Sequence, residues 1–346
     1  MDAPHAPELT PLIRAATERP LSADEAERAF TEVMDGRATP VQMAALLVAL
    51  RVRGAVPAEV AGGVRALQRA MLPVPVASHE RLVDTCGTGG GAVTTFNIST
   101  AAALLAAAAG ARVAKHGNRS FSSRCGSADV LEALGVRLDL APEQEARVLE
   151  EAGIVFMFAP LHHPAMRHVA PVRRELAMPT LMNLLGPLTN PAHVRRQVVG
   201  VADARLLELV AGALGVLGHE HALVVHGEPG LDEFSPLGPT AVVELRDGAL
   251  RRWEFSAPRE LGWPEYRAEE LAGGGPEENA AIVERVLDGT LGGAARAATL
   301  LNAAAALYVA GVAPSLPDGV ARAEAALADG AGRRQLQALR AASRAA

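Results

Sequence analysis

Apolar residues in the first 71 positions recur at the spacing of a helix face. The stretches AERAFTEVM (26–34) and VQMAALLVALRVRG (41–54) place apolar side chains three or four positions apart. Thr39-Pro40 is typical of a helix start, because proline fits the first helical turn. The stretch MLPVPVASHE (71–80) then breaks the period with two prolines. We therefore predict a small all-α N-terminal domain over residues 1–76.

From residue 77 to 346 the pattern changes to short apolar runs that alternate with helical periods. The runs typical of buried strands are RLVDTC, ARVAKH, GIVFMFA, QVVGVAD and HALVVHG, and segments such as TAAALLAAAAG and EQEARVLEEAG separate them. This alternation predicts a larger α/β domain with a mostly parallel central sheet flanked by helices. Later, TAVVEL and ALRRWEF around Asp247-Gly248 predict a hairpin.

Composition excludes several classes of protein. The 33 basic and 39 acidic residues give a net charge of −6, so we expect no nucleic acid and no anionic membrane as partner without a local basic patch. The chain start lacks a basic, then apolar leader, and no run reaches about 18 apolar residues; we expect a cytoplasmic protein. Two cysteines, Cys86 and Cys125, form neither a disulfide framework nor a zinc array.

A glycine-rich segment, DTCGTGGGAVTTFNIST (84–100), follows the first predicted strand. Its glycines let backbone amides approach an oxyanion, and its polar end supplies donors and a helix cap, as in a phosphate site. A dinucleotide site is the functional alternative, since Gly87, Gly89 and Ala92 fit G-x-G-x-x-[GA]. However, five residues separate the glycines from the helix, and the next strand ends at Lys115-His116 instead of an acid. A capped turn without a ligand remains open.

A second donor-rich loop, KHGNRSFSSRCGS, follows the next predicted strand. It contains Lys115, the only lysine of the chain, whose compact ammonium suits a tight oxygen pocket better than a guanidinium. Taken alone, this loop could equally be a solvated polar loop that binds no ligand, and its lysine could have been left by chance. Loops after adjacent parallel strands face one crevice, however, so the coincidence favours a ligand with many oxygen atoms.

Two further segments suggest an aromatic acid and a metal ion. In 161–191 (LHHPAMRHVAPVRREL and its apolar continuation), an arginine beside an apolar pocket suits the carboxylate of a flat ligand. His163 and His168 are poor metal ligands here, because no carboxylate or thiolate stands at ligand spacing. In HGEPGLDEFSP, Asp232-Glu233 follows a strand and offers oxygen ligands for Mg²⁺, although an exposed acidic turn is the alternative.

The motifs GTGG, TFNIST, KHGNRS, GSADVLEALG, HHPAMRHVAPVR, NLLGPLTNP and GLDE occur in the order used by the anthranilate phosphoribosyltransferases of tryptophan biosynthesis. The chain closely resembles that family over residues 5–345. The resemblance implies transfer of a phosphoribosyl group from 5-phosphoribosyl 1-diphosphate to anthranilate, with Mg²⁺. It also implies a homodimer through the helical domain, an active site at the hinge between domains, and a 168–191 segment that joins the helical domain.

The resemblance assigns roles to individual residues. Lys115 and Arg119 are expected to act in catalysis by stabilising the departing diphosphate, and Ser99, Asp232 and Glu233 to bind magnesium. The expected donor contacts are Gly87, Gly90, Gly91, Thr95, Asn97, Ile98, Ser99, Thr100, Lys115, His116, Gly117, Asn118, Arg119, Ser120, Phe121, Ser122, Ser123 and Ser127. The expected anthranilate contacts are Gly87, Asn118, His116, His163 and Arg173.

The chain departs from the family pattern at one place. Family members usually read GTGGDG, whereas Gly91 and Ala92 stand here for the last two residues. An acid near the diphosphate is therefore missing, and we hypothesise a changed response to magnesium.

Two rival functions are weighed against the transferase. A pyrimidine-nucleoside-phosphorylase-like enzyme would use phosphate and a base, but the KHGNRS loop and Arg173 favour the transferase. A non-catalytic, nucleic-acid-binding relative would need a basic groove, which an acidic chain with an intact Asp232-Glu233 pair does not suggest.

Overall fold

The computed structural model describes residues 6–120 and 124–346, and the predicted donor contacts Phe121, Ser122 and Ser123 lie outside these ranges. The helices are α1 Leu9–Glu18, α2 Ala23–Met34, α3 Pro40–Arg53, α4 Pro57–Ala70, α5 Ile98–Ala108, α6 Ser127–Ala133, α7 Pro142–Ala152, α8 Ala159–His162, α9 Met166–Leu176, α10 Met182–Leu188, α11 Leu207–Val216, α12 Ala257–Leu261, α13 Pro276–Leu287, α14 Gly293–Val309, α15 Leu316–Ala328 and α16 Ala331–Ala345. Short 3-10 turns cover Ala204–Leu206 and Ala268–Leu271.

A seven-stranded sheet forms the centre of the larger domain. Its strands are β1 Leu82–Gly87, β2 Arg112–Gly117, β3 Ile154–Phe158, β4 Arg196–Gly200, β5 His221–Gly227, β6 Thr240–Arg246 and β7 Ala249–Phe255. They lie in the order β3-β2-β1-β4-β5-β6-β7. The first five are parallel, and β6 and β7 add an antiparallel hairpin. The predicted fold class, α/β with a small helical domain and a mostly parallel sheet, is confirmed.

The helical domain is built from α1 to α4 with well-defined helix starts. Ser22 and Thr39 each close a capping box at the N-terminus of α2 and α3, which satisfies backbone N–H groups that would otherwise lack partners. α2 and α4 approach so closely that a Cβ atom on Gly62 would lie 2.3 Å from the Ala23 carbonyl oxygen. Glycine at this position therefore permits the contact between the two helices.

Two hydrophobic cores lie on opposite faces of the sheet. One contains α5 and the C-terminal helices α13 to α16. The other begins inside α1 to α4, includes Val169, Val172 and the apolar residues of α10, and continues over α11 to β4, β5 and β6. This packing supports our proposal that the 168–191 segment joins the helical domain. The division at residues 76 and 77 stays a prediction, since Val74, which precedes it, packs in the first of these cores.

None of the described helices combines the length and apolarity needed to cross a lipid bilayer.

Candidate functional site

The loop that carries the predicted metal ligands lies directly on the glycine-rich turn. The Gly89 backbone N–H donates a hydrogen bond to Asp232 Oδ2 at 2.9 Å. A Cβ atom on Gly87 would lie 2.4 Å from that same oxygen, and one on Gly200 would lie 1.6 Å from the Asp232 carbonyl oxygen. The glycines that end β1 and β4 therefore make room for the loop that follows β5, as the carboxyl ends of parallel strands predict.

Gly91, where the family pattern has an acid, faces the same loop. The neighbouring Ala92 N–H donates to the Gly230 carbonyl oxygen at 2.9 Å. A Cβ atom on Gly91 would lie 2.9 Å from that carbonyl oxygen and 3.4 Å from Asp232 Oδ1. A side chain at position 91 would thus stand beside the Asp232 carboxylate.

Lys115 reaches the same place from the end of β2. Its side chain is buried, and Nζ donates to the Thr85 carbonyl oxygen at 2.5 Å and to Ser99 Oγ at 3.2 Å. Burial lowers the pKa of Lys115, whereas the negative charge of Asp84 is the largest of the effects that raise it. The ammonium is held by oxygen atoms from β1 and α5, in keeping with a pocket for a compact cation.

Glu233 completes this cluster. Burial, followed by the charge of the adjacent Asp232, raises the pKa of Glu233, while Lys115 and a hydrogen bond with the Ser99 backbone lower it. Within residues 6–120 and 124–346, no group of three or more His, Cys, Asp or Glu side chains surrounds a potential metal position. Two carboxylates and the nearby Ser99 hydroxyl are nevertheless oxygen ligands of the kind that Mg²⁺ uses, since it generally keeps several waters and takes phosphate oxygens as further ligands. A cation here would also favour the charged form of Glu233.

The polar start of α5 is arranged differently from the predicted cap. The helix begins at Ile98, and Asn97 occupies the N-cap without a capping hydrogen bond from its side chain. Instead, Asn97 Nδ2 donates to the Cys125 carbonyl oxygen at 3.2 Å, and Oδ1 accepts from Asn279 at 2.8 Å. Asn97 thus links the glycine-rich segment to the loop after β2, because Cys125 belongs to that loop. Thr100 Oγ1 is buried and finds no hydrogen-bond partner among the residues that the structure describes.

The loop after β2 folds back onto α6. Ser127 Oγ donates to the Asn118 carbonyl oxygen at 3.3 Å, and a Cβ atom on Gly117 would lie 2.3 Å from Ser127 Oγ. Arg119 Nη1 donates to Asp129 and Glu132, each at 2.8 Å. The guanidinium of Arg119 is therefore already paired with two carboxylates of α6, and its predicted catalytic role stays a prediction.

Two histidines, His116 and His163, lie beside the cluster around Lys115. His116 Nε2 and His163 Nε2 lie 3.2 Å apart, and the rings meet edge to face. Burial lowers the pKa of His116 well below its usual value and that of His163 to about 4. His116 also contacts the Gly186 backbone, and His163 the Thr189 backbone. Two neutral imidazoles at pH 7 therefore line the junction with α10.

Arg173 lies on α9 and is half-buried. Among the described residues its guanidinium has no hydrogen-bond or salt-bridge partner, and burial lowers the pKa of that group. Since a buried charge without a partner is costly, this group is suited to an incoming anion. α9 belongs to the core of the helical domain, so Arg173 is presented by that domain.

Asp84, inside β1, is absent from the residues predicted from sequence. It is fully buried and accepts hydrogen bonds from His116, Asn190 and Gln197. The available signal is a charged residue within the apolar run RLVDTC, because acids are rarely buried without a partner. The partners come from distant parts of the chain, which is why no local pattern revealed them.

Comparison with known families agrees with this architecture. Residues 11–71 match the model of the glycosyl transferase family helical bundle domain, and residues 79–333 match the a/b domain of the same family. The fold and these matches define a two-domain glycosyl transferase.

Individual relatives define the enzyme family more narrowly. Anthranilate phosphoribosyltransferase of Rubrobacter xylanophilus is 53% identical over 320 residues, covering 92% of this chain and 93% of the relative. A crystal structure of the Thermus thermophilus enzyme superposes with a TM-score of 0.91 at 46% identity, covering 96% of this chain and 99% of that one. The Saccharomyces cerevisiae enzyme in complex with PRPP and Mg gives a TM-score of 0.87 at 26% identity, covering 98% of both chains. The chain belongs to the anthranilate phosphoribosyltransferase family.

Proposed function

We propose that this chain transfers the phosphoribosyl group of 5-phosphoribosyl 1-diphosphate to the amine of anthranilate, giving N-(5-phosphoribosyl)anthranilate and diphosphate in tryptophan biosynthesis. One observation carries the proposal: the glycine turn, Lys115 and the Asp232-Glu233 pair, distant in sequence, meet at one place. Such a meeting of backbone amides, a single ammonium and two carboxylates suits a sugar diphosphate with its cation.

Magnesium would be held by Ser99, Asp232 and Glu233. When bound, it would neutralise charge on the phosphate oxygens of the donor. The Gly89 N–H contact to Asp232 fixes that carboxylate, and the Ser99 backbone orients Glu233. These two contacts position both carboxylates before any donor arrives.

We propose that the other donor contacts predicted from sequence bind the phosphoribosyl part; Phe121, Ser122 and Ser123 among them lie outside the described residues. Cleavage at the anomeric carbon is dissociative, because the diphosphate leaves as positive charge develops on the ribosyl group. The chain then needs to align the amine with the anomeric carbon and to stabilise the departing diphosphate. We assign the second task to Lys115, and to Arg119 if the donor draws it away from Asp129 and Glu132.

Anthranilate is assigned to the crevice between the two domains. The unpaired Arg173 would receive its carboxylate, and the neutral pair His116 and His163 would line its approach, with Gly87 and Asn118 on the donor side. A neutral imidazole does not repel the Lys115 ammonium as a charged one would. It also does not compete with Arg173 for the carboxylate of anthranilate. Closure of the hinge would bring Arg173 towards the donor.

We also propose a homodimer through the helical domain. Helix α3 exposes Val41, Ala45 and Val52 and leaves Val48 half-buried, and these residues recur at intervals of four, three and four on one face. Val41 and Val52 are 78% and 81% exposed. A contiguous apolar helix face of this kind is typical of a protein interface. With soluble, charged substrates, the dimer is expected to work in the cytoplasm.

The direct test follows the fluorescence of anthranilate in the presence of purified protein. We expect the signal to fall only when the donor and Mg²⁺ are both present, and to stay constant if either is omitted. A signal that stays constant in the complete mixture would refute the proposed reaction. Phosphorolysis of a pyrimidine nucleoside by the same preparation would instead support the phosphorylase rival.

A further inference from the structure

A buried carboxylate, Asp84, lies beneath the crevice. It stands in β1 three residues before Gly87 and is fully buried. Oδ1 accepts from the His116 backbone N–H at 3.2 Å, and Oδ2 accepts from Asn190 Nδ2 at 2.9 Å and Gln197 Nε2 at 3.3 Å. One carboxylate thus connects β2, the residues after α10, and β4.

The partners of Asp84 extend this network to both sides of the site. Asn190 Nδ2 also donates to the Ala114 carbonyl oxygen at 2.9 Å, directly before Lys115. Gln197 Nε2 also donates to the Pro187 carbonyl oxygen at 2.6 Å, within α10. Both amide nitrogens face acceptors only, which fixes the orientation of each amide group. The donor side, at β2, and the segment that includes α10 are therefore joined through Asp84.

Besides accepting hydrogen bonds, Asp84 carries a negative charge that can balance the charge of Lys115. A buried carboxylate and a buried ammonium are each costly without an opposite charge nearby. Burial raises the pKa of Asp84 to about 6, and Lys115 is the largest influence that lowers it. Asp84 is in turn the largest influence that favours the charged form of Lys115. Lys115 Nζ also donates to the carbonyl oxygen of Thr85, the residue after Asp84, so the two opposite charges lie on neighbouring strands and stabilise each other.

We propose that Asp84 is a positioning residue for the transfer reaction: its charge and its contact with the His116 peptide hold Lys115 and His116 in place. The hydrogen bonds from Asn190 and Gln197 hold Asp84 itself and contribute to stability, not to turnover. Asp84 contacts neither substrate and acts through Lys115 and His116. The inference rests on the proposed function, because Lys115 is the group that it serves.

The test compares Asp84→Asn with Gln197→Met, a matched change in the same buried network. Asparagine keeps the shape of the side chain, removes the charge and replaces one acceptor oxygen by a donor NH₂ group. Methionine removes hydrogen bonds to Asp84 and Pro187 but keeps the charge. We expect Asp84→Asn to lower kcat about thirtyfold, with KM for anthranilate within about twofold of wild type. For Gln197→Met we expect a lower Tm, but a kcat within about threefold.

Equal losses of kcat in the two variants, or a wild-type kcat in Asp84→Asn, would overturn the proposal. If Asp84→Asn folds too poorly to assay, Tm of the double variant Lys115→Met/Asp84→Asn decides the question. Because that variant leaves neither charge unpaired, its Tm should equal or exceed that of Asp84→Asn alone. A Tm of the double variant below that of Asp84→Asn alone would contradict charge pairing. Loss of anthranilate turnover in the wild-type protein, by contrast, would refute the proposed function itself.

Discussion

The donor side and the acceptor side of the crevice differ in how completely their groups are already satisfied. Around Asp232 and Lys115, backbone N–H groups, carbonyl oxygens and hydroxyls hold the charged groups at hydrogen-bond distance. Arg173, by contrast, stands on α9 without a partner among the described residues. The donor side is therefore preorganised within one domain, whereas the acceptor side depends on a residue presented by the other.

This difference indicates that the donor side serves mainly the chemical step, whereas Arg173 serves mainly the binding of anthranilate. Preorganised groups stabilise developing charge without reorganising during the reaction. An unpaired arginine on a separate domain gains its partner only when the ligand bridges the two domains. Changes on the donor side should therefore alter turnover, and changes to Arg173 should alter binding of anthranilate.

The most severe test of the donor side is Lys115→Arg. The buried ammonium lies between the Thr85 carbonyl and Ser99, and a wide guanidinium does not fit that space. We expect kcat to fall about a hundredfold or more, although the charge is kept. Steady-state kcat from anthranilate fluorescence measures the effect, with Arg251→Lys on exposed β7 as control. A wild-type kcat would show that a compact cation is not required.

A second test displaces the carboxylate of Asp232, in the loop after β5. In Gly87→Ala the new methyl group would meet Asp232 Oδ2 at 2.4 Å, so the carboxylate must shift. We expect kcat/KM for the donor to fall about tenfold or more, since displacements below 1 Å already disturb alignment. Gly292→Ala, where a Cβ atom meets nothing within 4 Å, is the control. Equal kinetics in both variants would mean that Asp232 need not stay in place.

Arg173→Gln probes the acceptor side. Loss of a charge-assisted contact to a carboxylate should raise KM for anthranilate about tenfold, while KM for the donor stays unchanged. The exposed neighbour Arg174→Gln serves as the control. If KM for the donor rose instead, the division between the two sides would be wrong.

The smallest expected effect concerns position 91. A carboxylate in Gly91→Asp would stand beside Asp232. Its Cβ atom would lie only 2.9 Å from the Gly230 carbonyl oxygen, so the two atoms must first move apart. We expect the Mg²⁺ concentration for half-maximal rate to fall about two- to fivefold, as for a partly exposed ion pair. Gly91→Asn has the same size without the charge. Superimposable magnesium curves for Gly91→Asp and wild type would end this idea.

The sheet could be predicted closely because the five parallel strands are short apolar runs, four of which end at glycine, and the last two strands flank an Asp-Gly turn. All seven runs correspond to strands, including the hairpin at Asp247-Gly248. The convergence of the two loops and the metal pair followed from a general property of parallel sheets, whose carboxyl ends share one edge.

The finer side-chain arrangement could not be predicted. Asn97 looked like a cap but joins two loops, because its partners Cys125 and Asn279 come from other parts of the chain. Arg119 is occupied by Asp129 and Glu132, a pairing that depends on how the loop returns onto α6. Local sequence carries little information on such contacts between distant residues.

The continuous core between the helical bundle and the sheet has a consequence for dissecting the protein. α4 begins against α11, where a Cβ atom on Gly212 would meet Pro57 at 2.8 Å, and apolar residues of both helices share one cluster. Expressed without its first 76 residues, the remainder would present the outer side of α11 to water. Such a fragment should self-associate, so the two halves of the fold are inseparable in practice.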